Sequence, residues 1–377
     1  MSESNELNID GLLEFNGPAC LIVTAKLAPV AGADRFQPAG FPEVGHVIYK
    51  APRKTGQTED VCIIDSPASM ANHLETVCCQ SATDPTLHPD LEGLPYVACV
   101  TDRDDDEKRD RVVCTTLTEG HRIATGCFLD GLLDPVRKKE VSQGKKKAKA
   151  EGQWDGEVFR DRLRKDFGVK EVEKDKRYFL YPDNWWTIYK TIFRFDPNSL
   201  VHGVLFAKEQ IKISRILTAH LEAFGAARVG RSGVKFDRFG IQPIFSVDEE
   251  TAREIRATFI VDLAMLRSYG RGDLGLSAPH KRLLLDLALW KIGRLLGQPF
   301  RYRTQCHLMC ESVSLIAGEQ EATALPTVDI RGSIARCEFK TGVTAVYYEA
   351  SRLFKPTGAD VAETKSTEED DAESDEE

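Results

Sequence analysis

Between residues 225 and 240 the chain reads GAARVGRSGVKFDRFG, which sets Arg228, Arg231, Lys235 and Arg238 among four glycines and two phenylalanines. Glycines let backbone N–H groups approach an anion, arginine and lysine supply charge, and Phe236 or Phe239 could stack on a base. The same composition also suits a plain solvated loop. Just upstream, Lys212 and Arg215 flank Ser214, and His220 follows; at the start of a helix such cations would meet phosphate, and on an exposed helix face they would only solubilise. Residues 300–303 read Phe-Arg-Tyr-Arg, a strand-like alternation that puts Arg301 and Arg303 on one face and leaves Phe300 and Tyr302 to the core. His121, between Glu119 and Arg122 in sequence, could do acid–base work on RNA, although a lone histidine more often binds or braces.

Metal and nucleotide chemistry have weaker signals. Cys306, His307 and Cys310 form one donor cluster, and His73, Cys78, Cys79 and His88 a second, but neither has CxxC pairs or a matching second half. No metal or cofactor is expected. The chain holds no GxxxxGK[ST] loop, no GxGxxG after a strand and no GxSxG elbow, so the common nucleotide-binding and hydrolase readings lack support.

The elements that must position these residues follow from periodicity. Residues 18–28 alternate, with Leu21, Val23, Ala25 and Leu27 on one face, which predicts a strand on a core. Prolines and glycines over 29–45 predict a long irregular loop. Ser66 and Pro67 open a helix over 66–79 whose inner face is Met70, Leu74, Val77 and Cys78, with Asn72 and His73 on the other side. Strands are expected at 94–100 and 111–117 about a mixed-charge tip, then a basic segment over 137–149. The second half predicts a strand near 201–206, a helix at 210–224, a strand near 241–247, helices at 249–269 and 280–296, and strands at 328–339 and 343–350. Strands and helices mixed in this order point to an α+β sheet covered by helices.

Composition narrows the class. Of 377 residues 42% are hydrophobic and 29% charged, as in globular proteins. The net charge of −9 sits in the tail: Asp360 to Glu377 holds ten of the 59 acidic residues and one of the 50 basic ones, which leaves 49 of each sign in the body. A neutral body can still carry a basic groove. The N-terminus is polar and no apolar run approaches the roughly 20 residues of a membrane span. A soluble, cytoplasmic chain with its ten cysteines reduced is expected. Residues 1–17 read as an extension, 18–355 as one elaborated domain, and 356–377 as a disordered acidic tail.

Five phrases in order carry a family resemblance: LAPVAGADRFQPAGFPEVG at 27–45, IIDSPASMANHLE at 63–75, LEGLPYV at 91–97, TTLTEGHRIAT at 115–125 and ISRILTAHLEA at 213–223. Together they resemble the CRISPR-associated RAMP superfamily, in particular the backbone ("seventh Cas") subunit of the type I-G, formerly I-U, Cascade complex. The resemblance implies a modified RRM-like, ferredoxin-like core with long insertions described as palm, fingers and thumb. It further implies head-to-tail copies along one guide RNA (crRNA), other Cascade subunits as partners, and a spacer held open to pair with a target DNA strand. No membrane partner is implied.

On this chain the implied guide contacts are Arg35, Asn72, His73, His121 and Arg122, with Lys212, Arg215, Arg228, Arg231, Lys235 and Arg238 on phosphates. The thumb is expected at 100–112 or 137–150. Asp34 invites analogy with target-cutting type III subunits, but type I backbones leave cleavage to a separate nuclease, so no enzymatic activity is expected. The rival reading is a RAMP-type endoribonuclease that processes the guide precursor, since a RAMP core can host either task.

Overall fold

The computed structural model describes residues 7–41, 45–81, 83–101, 111–137, 154–172, 177–236, 243–340 and 342–348. Arg238, the basic stretch beyond Arg137, the 102–110 thumb candidate and the acidic tail lie outside the described residues.

Six elements make the core: strand β1 (Cys20–Pro29), helix α1 (Pro67–Thr76), strands β2 (Leu217–Phe224) and β3 (Glu254–Asp262), helix α2 (Ala278–Leu296) and strand β4 (Cys306–Ala317). Their spatial order is β4-β1-β3-β2, antiparallel at every step. Connectivity βαββαβ with that order is the ferredoxin-like, RRM-like arrangement, and the molecule is a mixed α+β protein. The sheet continues past β2 through Thr58–Asp65 and Ile48–Pro52, and past β4 through Phe300–Arg303.

Alternation decides which face is buried. Leu21, Val23, Ala25 and Leu27 point inward, as do Leu217, Ala219, Leu221 and Ala223 on β2 and Ile255, Ala257, Phe259 and Val261 on β3. Helix α1 starts where Ser66 accepts from the Ser69 amide at 3.2 Å and Pro67 fixes φ, and it buries Met70, Ala71 and Leu74. Helix α2 opens on a Ser277–His280 capping box and buries Leu283, Leu284, Leu287 and Ala288. Each of the leucine, isoleucine, valine, phenylalanine and methionine side chains contributes about 1.5–3 kcal/mol when removed from water, and each alanine methyl less.

Four expected elements come out differently. The helix expected at 210–224 is two strands, Ile211–Ile213 and β2. The helix expected at 249–269 is the end of strand Pro243–Thr251, then β3, with only Leu263–Ser268 helical. The strand expected near 201–206 is present as Val204–Phe206 but starts later, after helix Pro197–His202, and the strand at 328–339 is helix Ile330–Ala335, capped by Asp329. The glycine-rich loop is also regular: Ala227–Phe236 pairs with Pro243–Thr251 as a long hairpin between β2 and β3. Its ladder shifts register between Arg228 and Gly230 and between Arg231 and Gly233, where Val229 and Ser232 are the extra residues and the two glycines stay in the ladder.

A long insertion separates α1 from β2. It builds a second sheet in the order Trp154–Val158, Leu132–Arg137, Val343–Tyr347, Tyr96–Thr101, Arg111–Thr115. Val343–Tyr347 runs parallel to Tyr96–Thr101, so the chain's last described strand closes a sheet begun in the insertion. Among the described residues no helix is long and apolar enough to cross a membrane.

Candidate nucleic-acid interface

The distant segments singled out in the sequence gather around α1. Its exposed rim carries Asn72, which lines a shallow pocket with Thr76, Ser81, Thr118 and Gly120. The turn of residues 118–122 lies across that pocket and presents His121 exposed next to Gly120. At the other end of the helix, the Arg215 guanidinium donates to the Pro67 carbonyl at 3.3 Å, and exposed Lys212 sits three residues before it on the strand Ile211–Ile213.

Arg122 is also drawn to α1, but as an internal strut. Its guanidinium donates to Glu75 Oε1 at 2.6 Å and Oε2 at 2.9 Å, and to the carbonyls of Gly120 and Gly203 at 3.2 and 3.1 Å. Both members of the pair are buried. With these donors engaged inside the protein, Arg122 braces the turn that carries His121. Glu75 also accepts from Asn198 Nδ2 at 2.8 Å, and Asn198 Oδ1 accepts from the buried Lys291 ammonium, which also reaches His202 Nε2 at 2.8 Å. Burial and the neighbouring cations Lys291, Arg122 and Arg215 push the His202 imidazole well below its usual value, so it is neutral and accepts that hydrogen bond.

His73 lies half-buried at the helix–sheet junction. Its Nε2 is 2.8 Å from Asp65 Oδ2, and its ring stands edge-on to Phe300 and Tyr302, both at 5.4 Å. Asp65 also meets Arg303 at 2.8 Å. Burial alone would raise the Asp65 carboxyl; hydrogen bonds from His73 and Ser69 and the charges of Arg303 and His73 outweigh it and hold it below its usual range. As expected, Tyr302 is core, and Arg301 is exposed; Arg303 is instead taken up by Asp65.

A second gathering forms at the base of the long hairpin. Arg35 is exposed and lies 3.5 Å from Glu249, while Arg228 approaches the fully buried Glu250 at 3.3 Å. Phe36 exchanges both backbone hydrogen bonds with Glu250, the Thr251 hydroxyl donates to the Asp34 carbonyl, and His46 reaches Glu250 at 3.0 Å. The irregular 29–41 segment is thereby pinned to the hairpin. Further out, Arg231 stands opposite Asp248 and Lys235 opposite Phe245 in the ladder.

Sequence periodicity read as helical concealed a further surface, the sheet face turned away from α1 and α2. Neighbouring strands there align Ser314, Thr24, Thr258 and His220 in one row, and Ile316, Ile22, Ile260 and Thr218 in the next. Ile316 and, further along β4, Met309 are openly exposed. Lys26 and Arg256 follow in register, though Lys26 is paired with Glu311 at 2.9 Å and Arg256 with Glu254. Alternation in 217–223 was the signal for it.

The fold and these clusters define an RRM-like α+β protein with polar, partly cationic rims around its first helix and its long hairpin. The family model described as CRISPR-associated protein GSU0053 matches residues 21–228, more than half of the 377-residue chain, and the chain belongs to that family. Its role is therefore in CRISPR defence. The matched stretch runs from β1 through α1, the insertion and β2 to the first residues of the hairpin. No curated protein matches the chain significantly.

Proposed function

We propose that this chain is a non-catalytic guide-RNA-binding backbone subunit of a type I CRISPR effector complex of the type I-G kind. In this reading head-to-tail copies coat one guide beside other Cascade subunits, and the spacer stays open to pair with a target DNA strand. The observation that carries it is the convergence of three separated phrases, at 63–75, 115–125 and 213–223, on α1 of an RRM-like core in a CRISPR-associated family. A surface that grips backbone needs cations and hydrogen-bond donors spread along a path; a cutting site needs one tight acid–base pair. Asn72, His121, Lys212 and Arg215 around the helix, with Arg35, Arg228, Arg231 and Lys235 along the hairpin, support the first pattern.

Phosphate and stacking contacts read RNA with little regard to sequence. The test is to purify the chain from cells that make a guide and to measure the absorbance ratio and the lengths of nuclease-protected RNA. Regularly incremented protected lengths are expected from a repeating filament. RNA-free protein that cuts a guide precursor would replace this reading with the processing endoribonuclease.

A further inference from the structure

We propose that Cys99, Cys114 and Cys127 bind a zinc ion in a structural site on the Tyr96–Thr101/Arg111–Thr115 strand pair. The three sulfurs all lie within 4.8 Å of one another, and Sγ of Cys114 and Cys127 are 3.5 Å apart. Zinc bonded to two thiolates at about 2.3 Å in a tetrahedron sets those sulfurs about 3.8 Å apart. Two of the three donors are fixed by the backbone itself, because Cys99 and Cys114 are direct partners across the antiparallel ladder. The third arrives on the short helix Gly126–Leu129.

Cys99 is buried, whereas Cys114 and Cys127 are half-buried and leave an entry path. Three converging sulfurs distinguish this arrangement from a redox pair, which needs two. Binding exchanges thiol protons for metal: each S–H loses its proton to solvent as the S–Zn bond forms, with no change of oxidation state. Zinc here would join the two strands to the short helix Gly126–Leu129 that follows the His121–Arg122 turn, and this does not depend on what the rim binds. The cysteines favoured by sequence proximity do not converge in this way: Cys306 is buried while its neighbour His307 is exposed, and among the described residues only Cys99, Cys114 and Cys127 form such a group.

The test uses the full chain, stripped of metal under reducing conditions and titrated with Co²⁺. One equivalent should produce thiolate-to-cobalt charge-transfer absorption, and Zn²⁺ should abolish it by displacement. Cys114→Ser and Cys127→Ser should each lose the band, whereas Cys20→Ser and Cys310→Ser should keep it. Should the first two variants fail to fold, alkylation of the wild-type chain decides: zinc should protect Cys99, Cys114 and Cys127 together. No charge-transfer band in the wild type, a band that Cys114→Ser and Cys127→Ser retain, absence of joint protection, or a Cys114–Cys127 disulfide in freshly purified metal-free protein would each overturn the proposal.

Discussion

Replacing Arg122 with alanine separates a strut from an RNA contact. The substitution removes both guanidinium bonds to Glu75 and both to the carbonyls of Gly120 and Gly203. Glu75, 2% exposed, keeps Asn198 as a donor but loses its counter-charge. Removing one partner of a buried ion pair costs about 3–5 kcal/mol. Arg122 holds a φ of 51°, and alanine bears the same left-handed strain, so the backbone adds little to the difference; glycine would relieve about 1 kcal/mol. With an m-value of about 3 kcal/mol/M, the urea midpoint followed by circular dichroism should fall by about 1–2 M. RNA affinity of the folded variant, at fixed salt, should change little. The double variant Arg122→Met/Glu75→Leu should recover part of the stability, because no charge is left buried alone. An unchanged midpoint with weakened RNA binding would refute this and return Arg122 to the guide.

Burial pushes the Asp196 carboxyl from 3.8 up to about 6, against the opposing influence of Ser199 and Lys291. A carboxyl raised on folding contributes stability that is present below its unfolded value and lost as pH rises through the folded one. The wild type should therefore lose on the order of 3 kcal/mol between about pH 4 and pH 6 relative to Asp196→Asn; parallel pH profiles in urea denaturation would contradict that. Alanine at Arg228, Arg231 and Lys235 together should weaken binding to all RNA sequences alike and reduce the log–log salt slope by up to about 2. A loss confined to one sequence would indicate base readout. Truncation at Thr357 removes a strongly acidic tail and should tighten non-specific RNA binding; equal affinity at several salt concentrations would dismiss a shielding role.

Where the sequence carried a strong local signal, the structure follows it. The clean alternation of β1, the Ser66–Pro67 start of α1 and the long apolar stripe of α2 each specify one period and one end. Residues 210–224 misled because Ile213, Ile216, Leu217 and Phe224, all buried, recur at a spacing that fits a helix as well as these strands. Alanines at 219 and 223 on the same buried face are too weakly apolar to break the tie. In β3 the same ambiguity arose from Ile255 and Phe259, and the β-branched Thr258, Ile260 and Val261 between and after them were the better guide.

Site residues were legible as types and less so as roles. Asn72 and His121 occupy an exposed rim, but the burial of Arg122 depends on an acid 47 residues away. Likewise the thiols of Cys99, Cys114 and Cys127 meet only through a ladder pairing and a turn, which linear spacing does not reveal.

The strand order also sets a schedule for synthesis. β1 ends at Pro29, yet its neighbours are β3, which begins at Glu254, and β4, which begins at Cys306, 277 residues later. At about 5–20 residues per second, the first strand emerges roughly 14–55 s before its second edge can be sealed. During that interval Leu21, Val23, Ala25 and Leu27 form an apolar row with both edges unpaired, a template for aggregation. A stalled or prematurely terminated product would thus expose this apolar row, and the nascent chain should be an early client of holding chaperones.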